Sequence, residues 1–183
     1  TTLFRSDHAF HTLPIFLKPE PRLLWEDGGF WGRYTPDSPG GQRRAVAPRL
    51  LRHAKVFGGA HHLGEMARLH HPEYAAFIFL SMPFARLAEL GLPCAMFLRG
   101  DDIEYCLRHV AAGGGTVSNP NLAAWHEAAH SYAQEYMSIA HGVIINMAYG
   151  QRTPDDLATF FHRRAAVHLS LSEVAGLTVY AEA

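Results

Sequence analysis

The stretch Phe97-Leu-Arg-Gly-Asp-Asp-Ile-Glu-Tyr-Cys-Leu-Arg108 constrains this chain more than any other. The apolar run from Cys94 to Leu98 reads as a short buried strand, and Gly100 frees a turn. Asp101, with Glu104 three places on, matches a D-x-x-E helix start. Carboxylates are thus collected where a strand ends and a helix begins. In open α/β sheets that edge is where ligands bind. Helix capping alone accounts for Asp101 and Glu104. It leaves Asp102 over, because a cap needs one acid at the first position and not two in succession.

At 183 residues and 48% hydrophobic content the chain suits one domain with a real core. A formal charge of -1 and the lack of any Lys/Arg cluster argue against a nucleic-acid surface. Cys94 and Cys106 fall beside the acidic turn, which favours a reduced, cytoplasmic protein over a disulfide scaffold. No uninterrupted apolar run approaches a membrane span, and the first eight residues lack a signal-peptide pattern. With Thr1 in place of an initiator Met, the chain reads as a piece of something longer.

Taken in order, residues 1–49 are loop-dominated, with a short strand expected at Leu13 to Leu17 and a breaker cluster from Thr35 to Gly41. Trp25, Phe30 and Trp31 surround Gly28 and Gly29, where large aromatics either line a pocket or pin a loop. From Arg49 to Arg68, Gly58, Gly59 and Gly64 divide weakly helical pieces that carry His53, His61 and His62. Adjacent histidines such as His61-His62 and His70-His71 do not point the same way, so they read as surface or hydrogen-bonded groups. Tyr74 to Met82, ended by Pro83, is expected as a buried strand. Phe84 to Leu90 follows as a short helix closed by Gly91 and Pro93.

The central helix is expected over Asp101 to Ala112, with Ile103, Leu107 and Val110 on one face and a Glu104–Arg108 i,i+4 pair, ended by Gly113 to Gly115. A strand-like step at Thr116 to Ser118 precedes an Asn119-Pro120 turn. Beyond His126 a long helix runs to about Met147. A second, capped by Thr153 with Pro154, Asp155 and Asp156 in its first turn, runs to about Ser170, and a further apolar helical stretch reaches the end.

Two patterns compete for the chemistry. His126-Glu127-Ala128-Ala129-His130 fits H-E-x-x-H, whose i,i+4 histidines can bind zinc while the glutamate activates water. No third ligand follows at the expected spacing. The other pattern covers more residues: Leu90-Gly-Leu-Pro-Cys-Ala-Met-Phe-Leu-Arg-Gly-Asp-Asp-Ile-Glu-Tyr-Cys-Leu-Arg108, then Gly113 to Val117, Pro120 and Trp125-His126-Glu127. Over about residues 74–127 it resembles the acceptor half of family-2 glycosyltransferases, in the bacterial galactofuranosyl- and rhamnosyltransferase-like branch.

That resemblance implies an α/β, partial GT-A-like domain, a short sheet with flanking helices, followed by C-terminal helices. The acceptor and catalytic half would span 1–127 and the helical region 128–183. It implies an inverting transferase that uses a UDP- or dTDP-linked nucleotide-sugar donor, a divalent metal (Mg or Mn), and a cell-surface glycan or glycolipid acceptor. Asp102 would be the general base and Asp101 would orient the sugar or acceptor. His126 would be a metal ligand beside the diphosphate. Phe77, Arg99, Glu104 and Trp125 would bind substrate, with Glu104 open between cap and supporting group.

Phe77 and Ile78 stand where the galactofuranosyl enzymes carry a tryptophan pair, and Tyr136-Met-Ser-Ile-Ala-His141 stands where many members have Y-x-x-R-N. The family's nucleotide-binding half, with its D-x-D motif, would lie upstream of Thr1. The implied partners include no nucleic acid and no membrane-spanning segment. Peripheral association with the inner face of the membrane and homo-oligomer formation stay open. So do a zinc hydrolase built on His126 and His130 and a non-catalytic transferase-like binding module.

Overall fold

The computed structural model describes residues 9–31, 49–50, 55–56, 64, 69–96, 99–127, 132–149, 154–159 and 161–162. The Thr35–Gly41 cluster, His53, His61, His62, Leu98, His130 and Thr153, and the expected helix beyond 162, lie outside these residues.

The architecture is mixed α/β. Among the described residues, eight short strands, β1 (Ala9–Thr12), β2 (Ile15–Leu17), β3 (Leu23–Glu26), β4 (Gly29–Phe30), β5 (Arg49–Leu50), β6 (Lys55–Val56), β7 (Gly115–Ser118) and β8 (Ala124–His126), accompany three principal helices. These are α1 (Phe84–Leu90), α2 (Asp101–Ala111) and α3 (Tyr132–Tyr149); residues 154–159 and 161–162 are also helical. Among the described residues no helix is long and apolar enough to cross a membrane.

One long parallel association organises the sheets. β1 runs beside β7, with Ala9 against Gly115, and β2 runs beside β8, with Ile15 against Ala124. Pro14 separates β1 from β2, but pairing carries on across the gap: Thr12 O accepts from Asn119 N–H at 2.8 Å and Pro14 O from Ala124 N–H at 3.1 Å. Parallel strands require a crossover, and here the intervening chain includes α1 and α2. The larger sheet has the order β6-β3-β2-β8.

The core forms where α2 meets β1 and β7. Phe10, fully buried, stacks on Tyr105 at 5.7 Å and on the His109 ring at 3.7 Å. The His109 ring in turn fills the space over Gly114, where an added Cβ would come within 2.0 Å of it. Ile145 of α3 and Met96 close the same cluster. Burial of Phe10, Tyr105 and Ile145, at roughly 1.5–3 kcal/mol for each large apolar side chain, is the main local driving force.

Several expected elements stand: α1 with Gly91 and Pro93 after it, α2, β7 and α3. The strand expected at Leu13 to Leu17 begins at Ile15, and β1 precedes it. Asn119 Oδ1 accepts from Asn121 N–H at 3.0 Å, which makes the expected turn.

Three expectations are corrected. Tyr74 to Met82 is not a strand: it makes isolated bridges at Tyr74 and Ser81, with a turn between them closed by Phe79 N–H to Ala76 O at 3.3 Å. The N–H groups of Ala76 and Phe77, which a ladder would need, are taken by the carboxylates of Glu26 and Asp102. Cys94 to Met96 is likewise not a strand; Cys94 and Ala95 are exposed, and Cys94 N–H donates to Glu104 Oε2 at 3.3 Å. Finally, Asp101 does not cap α2. Gly100 holds the N-cap in the left-handed region, no side chain caps the helix, and Glu104 is engaged by Arg108 instead.

Candidate functional site

Gly100 sets the site. Its φ of +90° turns the chain into α2, and a Cβ there would lie 3.2 Å from both His141 Cβ and Ile145 Cδ1. Only a residue without a side chain makes this turn against α3 without strain. The turn delivers Asp101, Asp102 and Glu104 in the first helical turn, where the helix dipole favours negative charge. His141 Nδ1 bonds the Arg99 carbonyl and Arg99 Nη2 donates to Gln134 Oε1 at 3.3 Å, so α3 grips the segment from behind.

Asp102 Oδ1 accepts from Ile103 N–H at 2.8 Å, and the carboxylate also accepts from Phe77 N–H. Burial pushes its carboxyl up to about 6, and the neighbouring Asp101 adds to that. The two N–H bonds and the Arg99 guanidinium pull the other way.

A second carboxyl stands with it. Glu26, the last residue of β3, accepts from Ala76 N–H; burial, then the charges of Asp102 and Asp27, push it up to about 7 against the pull of Arg99. Tyr74, which is 4% exposed and bridged to Gly29, feels the charges of Glu26, Asp102 and Glu73. Burial and those charges raise its phenol, so it stays protonated. Its hydroxyl has no hydrogen-bond partner among the described residues.

Glu104 belongs to a different group. It receives Arg108 Nη2 at 2.6 Å and Nε at 2.9 Å, Tyr149 O–H at 2.7 Å and Cys94 N–H. Burial works to raise its carboxyl, yet these bonds together hold it below the ordinary value. Glu104 therefore ties α2, α3 and the loop after α1 together, and its present partners are all internal.

Trp125 is 55% exposed, stacked on Phe16 at 5.8 Å with Nε1–H donating to Pro21 O at 3.2 Å. These contacts hold an exposed aromatic face in one orientation. His126 ends β8 opposite Leu17, and its carbonyl accepts from Lys18 N–H at 2.9 Å. Since His126 is in a strand and Glu127 follows outside any helix, H-E-x-x-H is not a single helical segment here. Phe77 packs against the core, edge-on to Tyr105 at 6.1 Å, while Ile78 beside it is 40% exposed.

The register relates the two halves of the site. Glu26 pairs with Ile15 and His126 with Leu17, and these two residues of β2 share a face. Glu26 and His126 are thus two strand spacings apart across the sheet and two residues apart along it, about 12 Å, on one face of the sheet. Asp101, Asp102 and Arg99 stand at the Glu26 end and His126 on β8, whereas Trp125, paired with and stacked on Phe16, lies on the opposite face. Among the described residues no three His, Cys, Asp or Glu side chains gather as a metal cage.

The sequence reading missed Glu26 and Tyr74. The available signal was a second acid pair, Glu26-Asp27, directly before a glycine turn, as Asp101-Asp102 directly follows one. No protein-family model matches the chain, and no curated protein matches it significantly.

Proposed function

We propose that this chain is the catalytic and acceptor-binding part of an inverting, GT-A-like glycosyltransferase, with Asp102 as the general base. The observation that carries the reading is the Asp102 carboxyl at the entry to α2, pushed up to about 6 by burial. A base with a value near operating pH combines a usable ionised fraction with real proton affinity. Attack on an anomeric carbon needs such a carboxylate within hydrogen-bond reach of the acceptor hydroxyl.

Asp102 takes the hydroxyl proton and Asp101 orients the acceptor. Arg99 moderates the accumulated negative charge, as its pull on both Glu26 and Asp102 indicates. Trp125, on the opposite face of β8 from His126, offers its fixed aromatic face to a more distant ring of the acceptor. His126 supplies one imidazole nitrogen. That nitrogen would hold a Mg or Mn ion only as one ligand in an otherwise oxygen-donating set, since both ions favour carboxylate, phosphate and water oxygens. When bound, such an ion offsets charge on the departing diphosphate.

The nucleotide-sugar donor, UDP- or dTDP-linked, and the glycan or glycolipid acceptor belong to this proposal, as does a cytoplasmic site of action at the inner face of the membrane. The test is Asp102→Asn in the protein that carries this chain. Transfer should fall by about 10²–10⁴ while nucleotide-sugar binding changes little. Undiminished turnover would refute the assignment.

A further inference from the structure

Two carboxylates from segments far apart in sequence end on successive peptide groups. Glu26, from the end of β3, accepts from Ala76 N–H, and Asp102, from the first turn of α2, accepts from Phe77 N–H. Successive Cα atoms are about 3.8 Å apart and the Asp102 charge acts on Glu26, so the two carboxyl groups stand near each other at one short piece of backbone. Turns that aim consecutive N–H groups to one side form anion nests, which favour negative charge but do not neutralise two charges.

Among the described residues the surroundings add little compensation. Asp101 faces Asp102, Asp27 faces Glu26, and Tyr74 from the adjoining segment contributes a neutral hydroxyl with no partner among the described residues. Cys106, below on α2, is a buried thiol pushed up to about 12 and so is uncharged. Arg99 is the cation that acts on both carboxyls. Among the described residues, one guanidinium and three amide donors, from Ala76, Phe77 and Ile103, in a half-buried setting support one full negative charge better than two.

We propose that Glu26 is the positioning residue of this site: Glu26 and Asp102 form a pair that holds one proton, with Asp102 the charged member and Glu26 the protonated one. The catalytic role of the pair rests on the reading of Asp102 as base; its existence does not. A protonated Glu26 leaves Asp102 free to ionise beside it. It also gives the site a second hydrogen-bond donor next to the Tyr74 hydroxyl, suited to an acceptor that presents neighbouring hydroxyl groups. When both members ionise, the nest carries two like charges. Glu26 would then compete with Asp102 for the same donors.

The test is carboxyl-carbon NMR titration of the intact chain, labelled at Asp and Glu. Interacting carboxyls titrate as a pair, so the Asp102 and Glu26 signals of the unaltered protein should each show two inflections. Single, independent inflections would overturn the pairing without recourse to any variant. Asp102→Asn should move the Glu26 midpoint downward by on the order of one pH unit, still above an ordinary glutamate because burial persists. A Glu26 midpoint unmoved in a folded Asp102→Asn protein would also overturn it.

Glu26→Gln should remove the upper inflection from the Asp102 signal and leave the lower one nearly in place, since Asp102 ionises first. Persistence of both inflections would refute the proposal. The transferase reading is tested separately: loss of coupling with transfer still abolished by Asp102→Asn would remove Glu26 alone. Intact coupling with undiminished transfer would remove the base and leave the pair.

Discussion

Glu26→Gln should make the protein more stable as pH rises, and the size of the gain follows from the site. Glu26 moves from an ordinary 4.5 to about 7 on folding. The folded protein therefore keeps a proton that the unfolded chain gives up, and stability falls as pH climbs between those values. Below about pH 4 the glutamic acid is protonated in both states and glutamine is nearly equivalent. Above about pH 7 the difference is fully expressed, and at about 1.4 kcal/mol per pH unit it reaches roughly 3 kcal/mol.

Glutamine keeps an oxygen for the Ala76 N–H, so little is lost in exchange. For a chain of this size that gain corresponds to a Tm higher by about 6–12 °C at pH 8, with almost no difference at pH 4. Thermal and urea melts of both proteins across this range are the assay. Parallel stability curves, separated by the same amount at every pH, would refute the reasoning. A stabilising substitution in a buried acid is also what a functional site predicts, because such sites are retained at a cost in stability.

The remaining expectations concern other parts of the molecule. Glu104→Ala, which strips the acceptor from Arg108, Tyr149 and Cys94 N–H, should cost about 2–4 kcal/mol in urea melts, whereas Tyr149→Phe should cost only about 1 kcal/mol. Gly28→Ala would put a Cβ 2.5 Å from Pro72 Cγ and 2.9 Å from Tyr74 O at a φ of +104°. It should destabilise by about 2–4 kcal/mol, against about 1–3 kcal/mol for Gly91→Ala, where the backbone at φ +74° and ψ -167° is strained but the added atom meets nothing within 4 Å. His126→Ala should raise the metal concentration needed for half-maximal donor binding by on the order of tenfold, while His130→Ala is tolerated; loss of stoichiometric zinc on the latter change would contradict the use made of His126 here.

Local signals carried much of the fold. Pro83 and Gly91 bracket α1, Gly113 follows α2, and the Glu104–Arg108 spacing makes the ion pair that the helix period implies. What failed depended on contacts between distant segments. Tyr74 to Met82 is apolar and bounded by prolines like a strand, but Ile78 and Phe79 are 40% and 39% exposed. Its backbone donors face acids placed on β3 and α2. The same distance in sequence hid Glu26, since nothing near Trp25 announces that Asp102 will be its neighbour. The D-x-x-E signature found the start of a helix correctly for the wrong reason: a left-handed glycine begins it, and the glutamate serves a tie between helices.

The parallel association of the first strands with β7 and β8 has a consequence for how the chain folds. Ala9 meets Gly115 and Leu17 meets His126, so β1, and the edge of β2 turned away from β3, wait for partners made roughly a hundred residues later. Loop closure over such a span is slow, and topologies dominated by it fold late. During synthesis Phe10 would stay in water until α2 has emerged, which makes the segment around β1 a natural client for chaperones.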